Sequence, residues 1–461
     1  MSAPSGLYTI PPGAAFVDAL AAGILDECAG DPLALADYLV LLPTRRACRA
    51  LREAFLRVSD GQSLVLPAMR PIGDVDVDDI APADAAGLET LDLPPALSEQ
   101  RRLLLLARLI LRWNEVDETT ADRMTPDHAV RLAQELARLI DQVQTERLSF
   151  DGLAALAPRE YAQHWERTLD FLKPVTAHWP DILAEEGALD PADRRNRLLE
   201  GLAARWAAQP PAGPVIAAGS TGSVPASADL FAVIAALPQG RVVLPGLDRN
   251  ADDETWAAIG RDQTHPQFGL ARLLDRLGID RAAIRDWPSD GYRHAVAPAR
   301  TALAAEALRP AETTDAWRDL SALRDAAAQA LQPVGEAPFP AVQRIVAPGD
   351  KEEAEVIALM LRHSLETPER TAALVTADRR LARRVAASLR RWGIVIDDSA
   401  GQPLAETPPG AFLRLALEMA ASRLAPVALL AAFKHPLATG GMAAPAFRDT
   451  VRKLERLTLR G

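Results

Sequence analysis

Short, largely apolar runs, stopped by proline or glycine and followed by a helical pattern, constrain this chain more than any other feature. Leu7-Tyr8-Thr9-Ile10 stops at Pro11-Pro12-Gly13, and Tyr38-Leu39-Val40-Leu41-Leu42 stops at Pro43. A run without polar alternation is what a strand needs when both faces of its sheet are covered. Amphipathic helices are expected after the two runs, over residues 15–28 and 45–57. Strand–helix–strand–helix order at this spacing predicts a parallel sheet and an α/β fold. Two later runs, Pro214-Val215-Ile216-Ala217-Ala218 and Arg241-Val242-Val243-Leu244-Pro245, are expected to complete the sheet.

At 461 residues the chain is longer than one hydrophobic core supports, so several domains are expected. The pattern divides it. Residues 1–94 and 209–310 read as a first α/β lobe, split by an all-helical insertion over 95–208. Residues 311–342 read as a helix and Pro-containing linker. A second α/β unit is expected over 343–461, with strands at 343–346, 372–375 and 394–396 and helices over 351–365 and 379–392. Its last sixty or so residues are helical and add no closing strand, so the second lobe reads as incomplete and the chain as a fragment. The halves echo each other: Leu41-Leu42-Pro43-Thr44-Arg45-Arg46 resembles Leu374-Val375-Thr376-Ala377-Asp378-Arg379-Arg380.

Composition removes several function classes. The net charge of −11 argues against a uniformly basic nucleic-acid binder and leaves room only for local basic stripes. Two cysteines, Cys28 and Cys48, cannot supply a four-cysteine zinc or iron–sulfur site or a disulfide framework. No signal peptide or membrane span is visible, so a soluble cytoplasmic protein is expected. Lysine occurs only at Lys173, Lys351, Lys434 and Lys453.

Two arginine stripes are the strongest chemical signal. At roughly 100° per residue, Arg45, Arg46, Arg49, Arg52 and Arg57 share one helix face, opposite Cys48, Leu51 and Phe55. Arg379, Arg380, Arg383, Arg384, Arg390 and Arg391 do the same, opposite Leu381, Val385 and Leu389. Either stripe can be a plain solvated face. Each also begins where an expected strand ends, the edge at which open α/β sheets collect ligands, and guanidinium groups suit phosphate oxygens. The turn Pro11-Pro12-Gly13 occupies the place of a phosphate-binding loop, yet the lysine and the Ser/Thr that such a loop requires are missing. It reads as a vestigial nucleotide site. The acidic run Asp74, Asp76, Asp78 and Asp79 lacks the glycine and closing glutamate of a calcium loop and reads as a solvated loop. Gly219-Ser220-Thr221-Gly222-Ser223 reads as a turn lining the ligand edge of the sheet. No metal site and no catalytic constellation is expected.

Several strings resemble one family, the AddB subunits of AddAB helicase–nucleases in their alphaproteobacterial form. They are Ile10-Pro11-Pro12-Gly13, Leu41-Leu42-Pro43-Thr44-Arg45-Arg46-Ala47-Cys48-Arg49-Ala50-Leu51, Thr264-His265-Pro266-Gln267-Phe268-Gly269-Leu270, Glu306-Ala307-Leu308-Arg309-Pro310-Ala311-Glu312 and Asp397-Asp398-Ser399-Ala400-Gly401. The resemblance implies superfamily 1 helicase-like (RecA-like) lobes that have lost hydrolysis and serve as scaffold and DNA reader beside an AddA motor. It also implies double-strand-break resection for homologous recombination, with single-stranded and double-stranded DNA ends as partners. Thr44, Arg45 and Arg46 then fall where helicases touch single-stranded DNA, and Arg49, on the same helix face, is a DNA-binding candidate with them. Arg379 and Arg380 fall near a motif that approaches the nucleotide in active helicases, and a DNA or structural role is implied for the pair here; Arg383 and Arg384 on the same face are DNA-binding candidates with them. The family's iron–sulfur cluster and nuclease Mg belong to a C-terminal domain that these residues do not contain, so no cofactor is expected in this portion. A different reading, ATP turnover with Arg45 or Arg46 in place of the lysine, is opposed by arginine's planar head, which does not replace a compact ammonium under the phosphates.

Overall fold

The computed structural model describes residues 6–28, 31, 33–73, 93–116, 124–150, 162–289, 298–319, 321 and 343–459. The acidic run 74–79 and most of the expected 311–342 linker lie outside them. The chain divides into two compact units, residues 1–340 and 341–461.

The first unit opens with β1 (Leu7–Ile10), α1 (Phe16–Glu27), β2 (Leu39–Leu42), α2 (Arg45–Val58) and β3 (Ala68–Pro71). Four helices follow: α3 (Glu99–Val116), α4 (Pro126–Thr145), α5 (Ala162–Glu186) and α6 (Pro191–Ala208). The chain then returns to the sheet through β4 (Val215–Ala218), α7 (Pro225–Ala236), β5 (Gly240–Pro245), α8 (Asp253–Ile259), α9 (Phe268–Leu277), β6 (Arg285–Asp286) and α10 (Pro298–Ala307). The six strands form one sheet in the order β3-β2-β4-β5-β1-β6, and every pairing is parallel. Side chains alternate between its faces. Ile10, Val40, Leu42, Ile216, Ala218 and Val243 are buried beneath α1 and α2. Leu7, Leu41, Val215, Ala217, Val242 and Leu244 are buried beneath α6, α7 and α9. Cover on both faces is why the four central strands read as unbroken apolar runs.

Two edge strands carried no such signal. β3 is Ala-Met-Arg-Pro, and β6 is the exposed pair Arg285-Asp286. Each has a neighbour on one side only, so nothing obliges it to be apolar throughout. α6 falls within the expected 95–208 insertion, yet its Leu198, Leu199, Leu202 and Trp206 are buried in the sheet core. The separate insertion core lies within residues 97–188 and joins α3, α4 and α5.

In the second unit the expected helices form: α11 (Asp350–Ser364) and α12 (Arg379–Arg390), then α13 (Pro408–Ala421), α14 (Pro426–Lys434) and α15 (Ala444–Leu454). The expected strands do not. Residues 343–347, 371–376 and 394–398 pair in no ladder, and no strand exists among the described residues of this unit. Leu374 and Ile394 pack on Ala354, Ala358, Val385 and Leu389 of α11 and α12. Their neighbours Val375 and Val395 stand 94% and 89% exposed. The in–out alternation of a strand is present. The cross-strand hydrogen bonds that define a sheet are not, so a second parallel-sheet lobe is corrected to a helical unit flanked by extended segments.

Candidate functional site

The ligand edge of a doubly wound parallel sheet is the carboxyl end of its strands, at points where neighbouring strands send their helices to opposite faces. This sheet has two such points. β1 leads to α1 on one face while its neighbour β5 leads toward α9 on the other; β2 leads to α2 while its neighbour β4 leads to α7.

At the first point the turn after β1 is packed against its neighbours. Gly246 turns at φ +61°, and a Cβ there would lie 3.5 Å from Pro12 Cβ. The Gly246 amide donates to Ile10 O at 2.8 Å. The Gln267 side chain closes the same corner, donating to Gly246 O at 2.9 Å and accepting from the Asp248 amide at 3.1 Å. Beneath it the buried Thr9 hydroxyl donates to Leu244 O and accepts from the Leu247 amide. The helix that would present its amides to a phosphate starts with Phe16 and carries Asp18 in its first turn, 2.6 Å from Arg57. A phosphate cradle needs glycine amides, an ammonium and a hydroxyl; Gly13 (φ +90°) supplies one glycine, but Pro11, Pro12, Phe16 and Asp18 supply neither the ammonium nor the hydroxyl. A nucleotide and its magnesium do not fit the residues present, and Gln267 is a contributor to this corner that sequence reasoning missed. Among the described residues no group of three or more His, Cys, Asp or Glu side chains is placed to hold a metal ion. Cys28 and Cys48 are both buried in the core under α1 and α2.

The second point brings the predicted residues together. Leu41 pairs with Ala217, so Pro43 and Thr44 run beside Gly219 and Ser220 just beyond the sheet. A Cβ on Gly219 (φ +75°) would lie 3.7 Å from Pro43 Cδ and 3.2 Å from the Phe16 ring. The Gly219–Ser223 turn therefore lines this edge, as its sequence suggests. Thr44 is extended at φ −144° and caps α2, its Oγ1 accepting from the Ala47 amide at 3.1 Å. Cys48, Leu51, Ala54 and Phe55 turn inward and are buried, while Arg45, Arg46, Arg49 and Arg52 are exposed on the outer face. Arg57, counted in the same stripe, is held by Asp18.

The second arginine stripe has a different character. Asp378 caps α12 by accepting from the Arg380 amide at 2.7 Å. Arg379 grips Asp398 through both guanidinium nitrogens, at 3.0 and 2.7 Å, and so ties the segment after residue 394 to the start of the helix. Arg384 pairs with Asp350 of α11 at 2.8 Å and Arg383 with Glu406 at 3.3 Å. The Arg384 hydrogen bond holds the Asp350 carboxyl below its usual range. Arg380 keeps only a loose contact of 4.0 Å to Asp378. Most of the expected phosphate-binding face is thus neutralised within its own unit.

The class these features define is an α/β protein with a six-stranded, all-parallel sheet wound on both faces, the Rossmann- or RecA-like arrangement. The chain matches no protein-family model, and no curated protein is significantly similar to it. Among the described residues no helix is long and apolar enough to cross a membrane.

Proposed function

We propose that this chain is the helicase-like, non-hydrolysing DNA-binding and scaffold portion of an AddB-type subunit, acting with an AddA-type motor in double-strand-break resection. One observation carries the reading: the β2/β4 edge presents α2, capped by Thr44, with Arg45, Arg46, Arg49 and Arg52 exposed on its outer face. Arg49 and Arg52 on that face are exposed and make no ion pair with a described residue. The β1/β5 edge, where a RecA-like motor would hold its nucleotide, carries Pro12 against Gly246 and the Gln267 side chain instead of a lysine and a magnesium-binding hydroxyl. A sheet with one ligand edge lacking phosphate-handling residues and the other basic suits phosphate contact without phosphate chemistry.

The test is single-stranded and forked DNA binding across a salt series, by the chain with and without an AddA-type partner. Changing Arg45, Arg46 and Arg49 together to alanine is expected to weaken binding and to flatten the salt slope by roughly 2, since each lost contact on a single strand is worth about 0.7. Unchanged affinity and slope would remove α2 from the DNA path. DNA-stimulated ATP turnover would instead revive an ATP-dependent enzyme with an unconventional phosphate site.

A further inference from the structure

A largely buried cation with one loose carboxylate contact and no hydrogen bond to a described residue marks a second place of interest. Arg281 opens a short 3-10 turn, Arg281–Ala283, between α9 and β6. Its side chain is only 13% exposed. The guanidinium lies 4.8 Å from the centre of the Trp256 ring on α8. It makes no hydrogen bond to any described residue, its Nη1 is buried without a partner, and one carboxylate, Asp253, stands 3.5 Å away and fully exposed. A comparably buried arginine shows what such a group ordinarily requires: Arg309, 11% exposed, holds Glu306 at 2.6 Å and Asp252 at 2.8 Å. Buried guanidinium donors without acceptors are costly enough to call for an explanation.

Arg281 also lines a cleft of about 400 Å³ between α8 and α9. That volume falls within the ~300–1,000 Å³ of small-molecule sites. Trp256, Leu274 and Ile279 give it apolar walls, and Arg272 adds a second cation with no ion pair to a described residue. Asp253, Asp275 and Asp280 line it too, with Asp280 engaged by the Ala282 amide at 2.9 Å. This mixed lining disfavours a polyanion such as a nucleic-acid backbone. It accommodates a single anionic group carried on an apolar body.

We propose that this cleft is a binding site for a small organic anion, a carboxylate or a phosphate monoester, with Arg281 as the anchor of its charged group and Trp256 and Leu274 against its apolar part. The site is independent of the DNA reading above. The experiment titrates the chain with benzoate and with phenyl phosphate, followed by calorimetry and ligand-observed NMR, with inorganic phosphate as the probe lacking an apolar body. Binding of either aromatic anion is expected, at least 10-fold tighter than inorganic phosphate. Arg281→Gln should weaken it at least 10-fold. Because that change alters a buried group, Ala257→Trp provides the second variant: Ala257 is exposed on the cleft wall, and the larger ring should occlude the site while leaving the fold intact. Which aromatic anion binds tighter separates a carboxylate site from a phosphate site. Failure of both aromatic anions to bind at millimolar concentration, or full binding by Ala257→Trp, overturns the proposal.

Discussion

Single residues of this protein are most informative where charge is buried. Asp190 is fully buried at the start of α6 and gathers the helical insertion around it. Its Oδ2 accepts from Trp179 Nε1 at 2.8 Å and from Gln144 Nε2 at 2.7 Å, and its Oδ1 lies 2.8 Å from Arg102 Nε. That last contact is an ion pair without hydrogen-bond alignment, since neither atom has a hydrogen-bond partner. Arg102 is itself only 6% exposed. Removing Asp190 leaves Arg102 with Asp141 alone and the Trp179 and Gln144 donors without their acceptor, so Asp190→Ala is expected to cost about 3–5 kcal/mol in urea unfolding. A loss below ~1 kcal/mol would mean that water reaches Arg102 once the carboxylate is gone. Asp252 offers a pH test of the opposite kind, on the surface. Burial pushes its carboxyl up, but the Thr255 amide, the Arg309 guanidinium and the Thr255 hydroxyl outweigh that and hold it at about 2, against an ordinary 3.8. A depressed carboxylate contributes stability above its unfolded pKa, and loses it as pH falls through its folded one. The wild-type advantage over Asp252→Asn should therefore be constant near neutrality and shrink between about pH 4 and pH 2. A difference that ignores pH across that window would show that the Arg309 contact is not electrostatic in origin.

At the scale of elements, α2 and α12 look alike in sequence and differ in what surrounds them. Both carry an arginine face opposite a buried apolar one. On α2, Arg57 pairs with Asp18 while Arg49 and Arg52 make no ion pair with a described residue, whereas α12 faces Asp350, Asp398 and Glu406 from three other segments. Changing Arg379 and Arg384 together to alanine should therefore lower the stability of the second unit and leave the salt slope of DNA binding nearly unchanged, the reverse of the triple change in α2. A slope that drops with α12 as well would put both helices on the nucleic acid. The contrast marks the limit of what the sequence could tell. Periodicity located both helices and their faces, because burial on one side leaves a repeating imprint. It could not locate Asp398, nineteen residues away, or Asp350, thirty-four residues away. The central strands were legible because they are covered on both faces. β3 and β6 were not, because an edge strand owes its place to one neighbour rather than to its own composition. The missed strands of the second unit are the converse case. Residues 371–376 and 394–398 carry a strand's pattern, but pattern places side chains and only a paired backbone makes a sheet. The candidate edge was half legible: Thr44 and the arginines after it were found from local sequence, while the Pro12–Gly246 and Phe16–Gly219 contacts join residues some two hundred positions apart.

Over the whole molecule, stability is unevenly distributed. The first unit has a layered core in which Leu20, Ile24, Phe55, Phe231 and Trp287 are fully buried, and its sheet joins chain segments more than two hundred residues apart. The second unit buries mainly small side chains, among them Ala354, Ala358, Ala428 and Ala432. It leaves Val346, Val375, Val395, Leu404 and Val427 more than 70% exposed. Burial of apolar area is the main favourable term in folding, at about 25 cal/mol per Å², so the second unit starts with less to offset its chain entropy. Unfolding in urea should consequently proceed in two steps, the second unit first, instead of the single transition of a small domain. The sequence contains a probe for this. Of eight tryptophans, only Trp392 lies beyond residue 340, and it is flanked by Arg362 and Arg391, each with its guanidinium over the ring. The fluorescence difference between the wild type and Trp392→Phe reports the second unit alone, while far-ultraviolet circular dichroism reports both. The difference signal is expected to be lost at a lower urea concentration than the main dichroism transition. Coincident midpoints would mean that the two units are thermodynamically coupled, and that the exposed valines of the second are offset by stabilisation the first provides.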